Sequence, residues 1–278
     1  MPIHDQGYRR YTGRRRPPGQ AWWVIARQQV GTYLSQKRFI VLLLVAWVPF
    51  VARAVQIYIG ANFRQASFLA TTAQLFRSFL DQQGLFVFLL IVGAAGAIAD
   101  DRRANALQVY LSKPITRTEY IAGKLFAPML FVLGITLLPA VLLLIVQVAL
   151  SGSMTFLTDN LFLVPAIVLY SVVQALVGTV AMMALSSLSK SRRFTALTFT
   201  GAFFFTSAMY QALQRITGSQ AWAAISPRDT LAVIGDAAFR IPGQRALPMW
   251  AALLTVAVIV GLSLAVLERR VRGVEVVT

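Results

Sequence analysis

The sequence predicts an all-α polytopic membrane protein, with six transmembrane helices, an N-terminal amphipathic helix in the membrane interface and a charged helical unit in a cytoplasmic loop. Three observations carry this reading. Of the 278 residues, 57% are hydrophobic and only 13% charged, against roughly 45 to 50% and 25% in soluble domains. Six apolar runs are candidate spans, a helix needing about 20 such residues to cross the hydrocarbon core, and the second of them, short as written, can borrow a turn from either flank. The 26 Lys and Arg residues fall in short clusters between those runs. A nucleic-acid surface would gather them on one face, so the formal net charge of +16 marks membrane sidedness and no nucleic-acid partner is expected.

Residues 1–19 read as a basic, flexible cytoplasmic tail, with Arg9, Arg10, Arg14, Arg15 and Arg16 ahead of Pro17 and Pro18. The tail lacks the apolar core and cleavage site of a secretory signal and is expected to be retained. In residues 20–38, "QAWWVIARQQVGTYLSQKR", Trp22, Ala26, Val30 and Tyr33 recur at helical spacing among polar neighbours. That pattern fits an amphipathic helix lying in the interface, the alternative being a simple extension of the first span. The six-span domain covers 39–267, with spans at about 39–59, 84–99, 125–150, 161–187, 194–213 and 247–267. A long outer loop, 214–246, holds "ISPRDTLAVIGDAAFR", which predicts one or two short helices capping the outer mouth. Residues 268–278 form a C-terminal tail.

Six spans put both termini on one side, and the distribution of Lys and Arg says which. With the termini inside, 19 of these residues face inward and six outward, and Arg53 lies within the first span. The N- and C-termini are therefore expected in the cytoplasm.

The segment "DDRRANALQVYLSKPITRTEYIAGK", residues 100–124, is then an inner loop. Asp100 and Asp101 stand where the second span ends, placed to cap a following helix with their negative charge at its positive end. Ala104, Leu107, Tyr110 and Leu111 draw one apolar stripe beside Arg102, Arg103, Asn105 and Gln108. Pro114, two residues after Ser112, disfavours a helical Lys113 and breaks the helix. "TRTE" restarts it as a capping box, Thr116 serving as N-cap and Glu119 reaching back to it. The loop is thus a helix, a break and a second helix that continues into the third span.

These residues resemble the cytoplasmic loop of ABC-transporter permease subunits of the type-2 exporter family. There an acidic residue ends the second span, a Leu-Ser-x-Pro-[Ile/Val]-[Ser/Thr]-Arg core follows, and Gly-Lys leads into the third span. The matching positions are Asp100, Leu111, Ser112, Pro114, Ile115, Thr116, Arg117, Gly123 and Lys124. The likeness extends more weakly to the whole chain, through the six spans, the N-terminal helix, the long final outer loop and the charged ending "LERRVRGVEVV"; the basic tail is longer than the fold requires. The resemblance implies that 100–124 is a coupling helix docking on a separate cytoplasmic ABC ATPase subunit through Asp100, Asp101, Arg102, Arg103, Leu107, Tyr110, Leu111, Ser112, Pro114 and Arg117. It also implies two ATPase copies, a second permease chain forming a homodimer or heterodimer, surrounding membrane lipid, and outward movement of substrate between permeases. The expected location is the inner (cytoplasmic) membrane of a bacterium or archaeon.

The residues support one part of this independently. No Gly-x-x-x-x-Gly-Lys-[Ser/Thr] phosphate loop is present, since Thr118 stands five positions before Gly123. The chain is therefore expected to bind no cofactor and to be no enzyme, with ATP and Mg held by the partner subunit. The absence of cysteine excludes disulfides, thiolate metal sites and Cys nucleophiles. His4, the single histidine, has no second imidazole with which to hold a metal. Asp100 and Asp101, adjacent on a helix, do not face each other as an acid/base pair would. Within the spans, Arg53, Gln56, Gln174 and Gln211 are candidates to line a conduit. Arginine near a helix end can also snorkel, and glutamines also bond neighbouring helices. The alternatives to a transporter are a permease serving maturation of a periplasmic metalloenzyme and a non-transporting membrane scaffold.

Overall fold

Lipid offers no partner for a backbone amide, so long apolar runs close their hydrogen bonds within helices. The computed structural model describes residues 19–63, 72–106, 115–151, 154–242 and 247–271, and every regular element among them is helical. Helix α1 (Ala21–Leu34) precedes a first rod made of α2 (Lys37–Val45) and α3 (Val48–Asn62). A second rod joins α4 (Ala73–Gly93) to α5 (Gly96–Arg103), and a third joins α6 (Arg117–Ile135) to α7 (Leu137–Ser151). The short α8 (Thr155–Asp159) leads to α9 (Leu163–Leu188) and α10 (Arg192–Thr217), each 26 residues without a break. A 3-10 segment, Gln220–Ile225, and α11 (Pro227–Ala238) connect to α12 (Met249–Arg270).

Among the described residues, five helical stretches are long and apolar enough to cross a membrane: Lys37–Asn62, Ala73–Arg103, Arg117–Ser151, Leu163–Leu188 and Met249–Arg270. The chain is a multi-pass membrane protein. The run expected as a further span, 194–213, forms α10, which has the length but a composition diluted by Thr, Ser, Gln and Arg. The second span also differs from expectation, because its helix begins at Ala73 instead of near 84 and absorbs Arg77 and Asp81. At its other end Asp100 and Asp101 lie inside the last turns of α5 and cap no helix start there.

The chain runs back and forth, so one end of the bundle carries α1 and the 189–191 turn and the other carries 218–242; these are called the near and far ends. Buried side chains form three clusters, the smallest holding Tyr210, Ala223, Val233 and Ile234 at the far end. Near the first end, Tyr33, Phe39, Ile98, Tyr120 and Met183 pack together; toward the far end, Phe76, Phe79, Leu143, Ile167 and Phe239 do so. Helix α9 passes through the two larger clusters and packs on α4 to α7 and on α10 to α12.

Prolines account for two interruptions. The first rod breaks at Ala46 and Trp47, just ahead of Pro49, and the third at Thr136, where Pro139 has no N–H to give to the Ile135 carbonyl. Pro165 lies in the first turn of α9, where a missing N–H costs nothing, and Pro128 is accommodated inside α6. At two breaks a side chain takes up a backbone oxygen: the Gln83 amide donates to the Ala46 carbonyl (3.0 Å) and the Ser186 hydroxyl to the Ala95 carbonyl (2.7 Å).

Helix α1 lies against α6 through Ile25, Ala26, Gln29 and Tyr33. The contact is close because Gly123 has no side chain: a Cβ there would lie 2.7 Å from the Trp22 carbonyl oxygen and 2.8 Å from Ile25 Cβ. Gly123→Val is expected to lower stability by about 1 to 3 kcal/mol through overpacking, seen as a lower thermal midpoint. Gly134→Val on the same helix, where nothing lies within 4 Å, should leave that midpoint unchanged.

Candidate functional site

The near end is organised around one buried cation. Lys124, only 5% exposed, reaches from α6 to Asp101 Oδ2 on α5 (2.7 Å) and to Gln29 Oε1 on α1 (3.1 Å). The Tyr120 hydroxyl donates to the same Asp101 oxygen at 2.7 Å, and the Gln29 amide donates to the Tyr33 hydroxyl at 3.2 Å. Burial pushes the Tyr33 phenol up to about 12, so it keeps its proton to higher pH than an exposed tyrosine. Three helices far apart in sequence are thereby pinned at one point, and a charge that would be prohibitive alone is both paired and hydrogen-bonded.

Two further ties fix α5. The Ser186 hydroxyl on α9 accepts the Ile98 and Ala99 amides at 3.1 and 2.9 Å, and Arg102 donates to the Ser187 carbonyl. Arg192, at the start of α10, donates to the Gly93 carbonyl at 3.0 Å. Arg103 and Asp100 form an exposed pair at 3.3 Å. At the start of α6, the Glu119 amide donates to Thr116 Oγ1 (3.2 Å) and the Thr116 amide to Glu119 Oε2 (2.8 Å), a reciprocal capping box. Arg117 follows in the first turn. Of the proposed docking residues, Asp100, Asp101, Arg102, Arg103 and Arg117 therefore flank the 107–114 segment. Leu107, Tyr110, Leu111, Ser112 and Pro114 lie outside the described residues. A polar cavity of about 160 Å³ opens beside the hub, bordered by Gln29, Tyr33, Asp100, Asp101, Lys124 and Arg192.

A second, larger chamber of about 430 Å³ lies between α4, α9 and α10. Its wall is mainly apolar, with Phe88, Val177, Phe199 and Phe203 among its side chains, and α11 closes its far end with Pro227, Arg228 and Leu231. Of the four conduit candidates, Gln174 lines this chamber. Arg53 donates to Gln56 on its own helix at 2.7 Å, and Gln211 is exposed on α10.

The sequence profile of the ABC-2 family transporter proteins matches residues 23–270. The chain belongs to that family. It is accordingly the membrane subunit of an ABC transporter. A comparison with curated proteins finds no match.

In this ABC-2 permease the Gly-Lys pair that enters the third span divides two tasks: Gly123 admits α1, and Lys124 bonds to it and to α5. Sequence reasoning missed Gln29 and Tyr120 as partners, although a lysine entering a membrane span signals that some partner exists. The permease is pinned at its far end as well. Arg77, 7% exposed, extends from α4 to Asp236 on α11 (3.0 Å) and to Asp81 (3.4 Å), donates to the Ala232 carbonyl (3.4 Å) and lies 4.9 Å from the Tyr170 ring centroid. Gly235 allows this approach, since a Cβ would stand 2.6 Å from Arg77 Nε. Helix α11 starts firmly, Ser226 capping the Asp229 amide and Pro227 at its first position.

Proposed function

We propose that the permease works as an exporter in the cytoplasmic membrane, with ATP hydrolysed by a separate cytoplasmic ATPase pair and the 100–124 unit as the docking point. The observation carrying this is the Lys124 hub, which joins the two helices flanking the 107–114 segment to each other and to α1. A displacement of that segment then reaches the second and third spans together, and no nucleotide site is needed in this chain. In this reading two permease chains meet in the membrane and α10 is the sixth span, which places both termini in the cytoplasm. Two observations support α10: its exposed Phe194, Leu197, Phe204, Phe205 and Ile216 suit lipid, and the hydroxyls of Thr195, Thr206, Ser207 and Thr217 bond back to carbonyls of the preceding turn, which masks their polarity.

Leu107→Asp and Tyr110→Asp are expected to abolish copurification of an ATPase subunit, and the ATP hydrolysis that comes with it, while the permease still inserts at normal levels. Retention of the ATPase by both variants would overturn the proposed docking role.

A further inference from the structure

We infer that the chamber between α4, α9 and α10 binds an elongated apolar molecule bearing one uncharged amide or hydroxyl group, held by Gln174. The inference rests on the reading of the chain as a transporter and names the substrate chemistry of that reading.

Gln174 is 8% exposed and lines the chamber, and its Oε1 has no hydrogen-bond partner. The hydroxyl of Ser171, one turn away on the same face of α9, is fully buried and also unpartnered. Buried polar atoms are almost always paired, so an enclosed, unpaired amide oxygen on a residue that borders a ligand-sized apolar cavity marks a place for a polar group that arrives from outside. The unpaired atom is an amide oxygen, which accepts, so the ligand group that answers it must donate, as an amide N–H or a hydroxyl does.

The surrounding wall limits the rest of the ligand. The charged lining residues are Asp81 and Arg228, and Asp81 is already paired with Arg77, so the chamber favours an uncharged ligand group over an ion. A glycan or hydrophilic peptide would set many polar groups against Phe88, Val177, Phe199 and Phe203. From Gln174 to Leu185 the α9 side of the chamber runs roughly 16 Å at the helical rise, through Val177, Gly178 and Ala181. That length suits an aliphatic tail pointing toward the near end.

The test uses two probes with one tail. Oleamide carries an amide; methyl oleate accepts hydrogen bonds but donates none. Binding to the purified full-length permease in nanodiscs is measured by equilibrium competition, without ATPase or nucleotide. Oleamide is expected to bind about tenfold more tightly, the equivalent of one good hydrogen bond. Gln174→Leu should bring the ratio close to one with methyl oleate affinity unchanged, and Ala202→Trp, which fills the chamber from an exposed position, should weaken both. Size-exclusion profiles check that each variant is folded.

Equal binding of the two probes to the native protein, or a preference that survives Gln174→Leu, would overturn the inference. So would efficient copy-to-copy crosslinking of Ala202→Cys that neither probe reduces, because a second permease would then occupy the chamber; the chain has no other cysteine. The assay contains no ATPase, so failure here leaves the docking proposal standing, and failure of docking leaves probe binding intact.

Discussion

Asp101→Ala is expected to cost about 3 to 5 kcal/mol, the penalty for leaving a buried charge without its partner. Lys124 keeps the Gln29 oxygen and the face of the Tyr120 ring (5.7 Å to its centroid) in that variant, neither of them an anion, and its side chain is 6% exposed. The Tyr120 hydroxyl loses its acceptor on Asp101 as well. The loss should appear as a lower thermal midpoint of the purified permease and as early proteolysis of α1, which is attached through Gln29. A double variant, Asp101→Asn with Lys124→Met, should recover much of the stability, because both charges disappear together and methionine fills the lysine volume. If Asp101→Ala melts like the native protein, the hub does not hold the near end. Recovery of stability without recovery of ATPase-driven transport would show that the network serves transmission beyond its contribution to folding.

Asp236→Ala should release α11 from the far end. Arg77 would keep Asp81, whose side chain is 65% exposed and therefore a weak partner. The expected cost is about 2 kcal/mol, below the range for a buried pair broken outright because Arg77 retains Asp81, the Ala232 carbonyl and the Tyr170 ring. Hydrogen exchange offers the sharper readout: protection should fall across residues 227–238 and stay unchanged in α9. Arg77→Met should loosen the same segment, and adding it to Asp236→Ala should cost less than the two effects summed. Unchanged exchange in 227–238 would mean that apolar packing alone keeps α11 in place.

Legibility from sequence followed the range of the interactions. Apolar runs revealed most spans because a backbone in lipid must satisfy itself, whatever its neighbours do. The restart at Thr116 was legible for a similar reason, since a capping box involves residues three apart. The second span was read too short because Arg77, Asp81, Gln82 and Gln83 interrupt its apolar run, yet Arg77 and Gln83 are buried and bonded to other helices. The run at 194–213 was read as a span from its apolar residues, whereas α10 has the length but is diluted by hydroxyl and other polar side chains. Pairs such as Lys124 with Gln29 or Arg77 with Asp236 are 95 and 159 positions apart and leave no local pattern. Gln174 stood out as a polar residue in an apolar span; that it lines a cavity while Gln211 is exposed depended on packing.

The breaks in the first three rods have a mechanical consequence. An unbroken helix such as α9 moves lengthwise as one body, so a load on one end arrives undiminished at the other. A rod divided by a break turns part of that load into rotation of the shorter piece about the joint. Two of the joints have their exposed carbonyls occupied by Gln83 and Ser186, contacts that rotation can exchange for others without stranding a polar atom in lipid. The permease thus combines unbroken helices such as α9 with three jointed rods, and small angular changes at the joints are a softer mode of deformation than sliding any whole span.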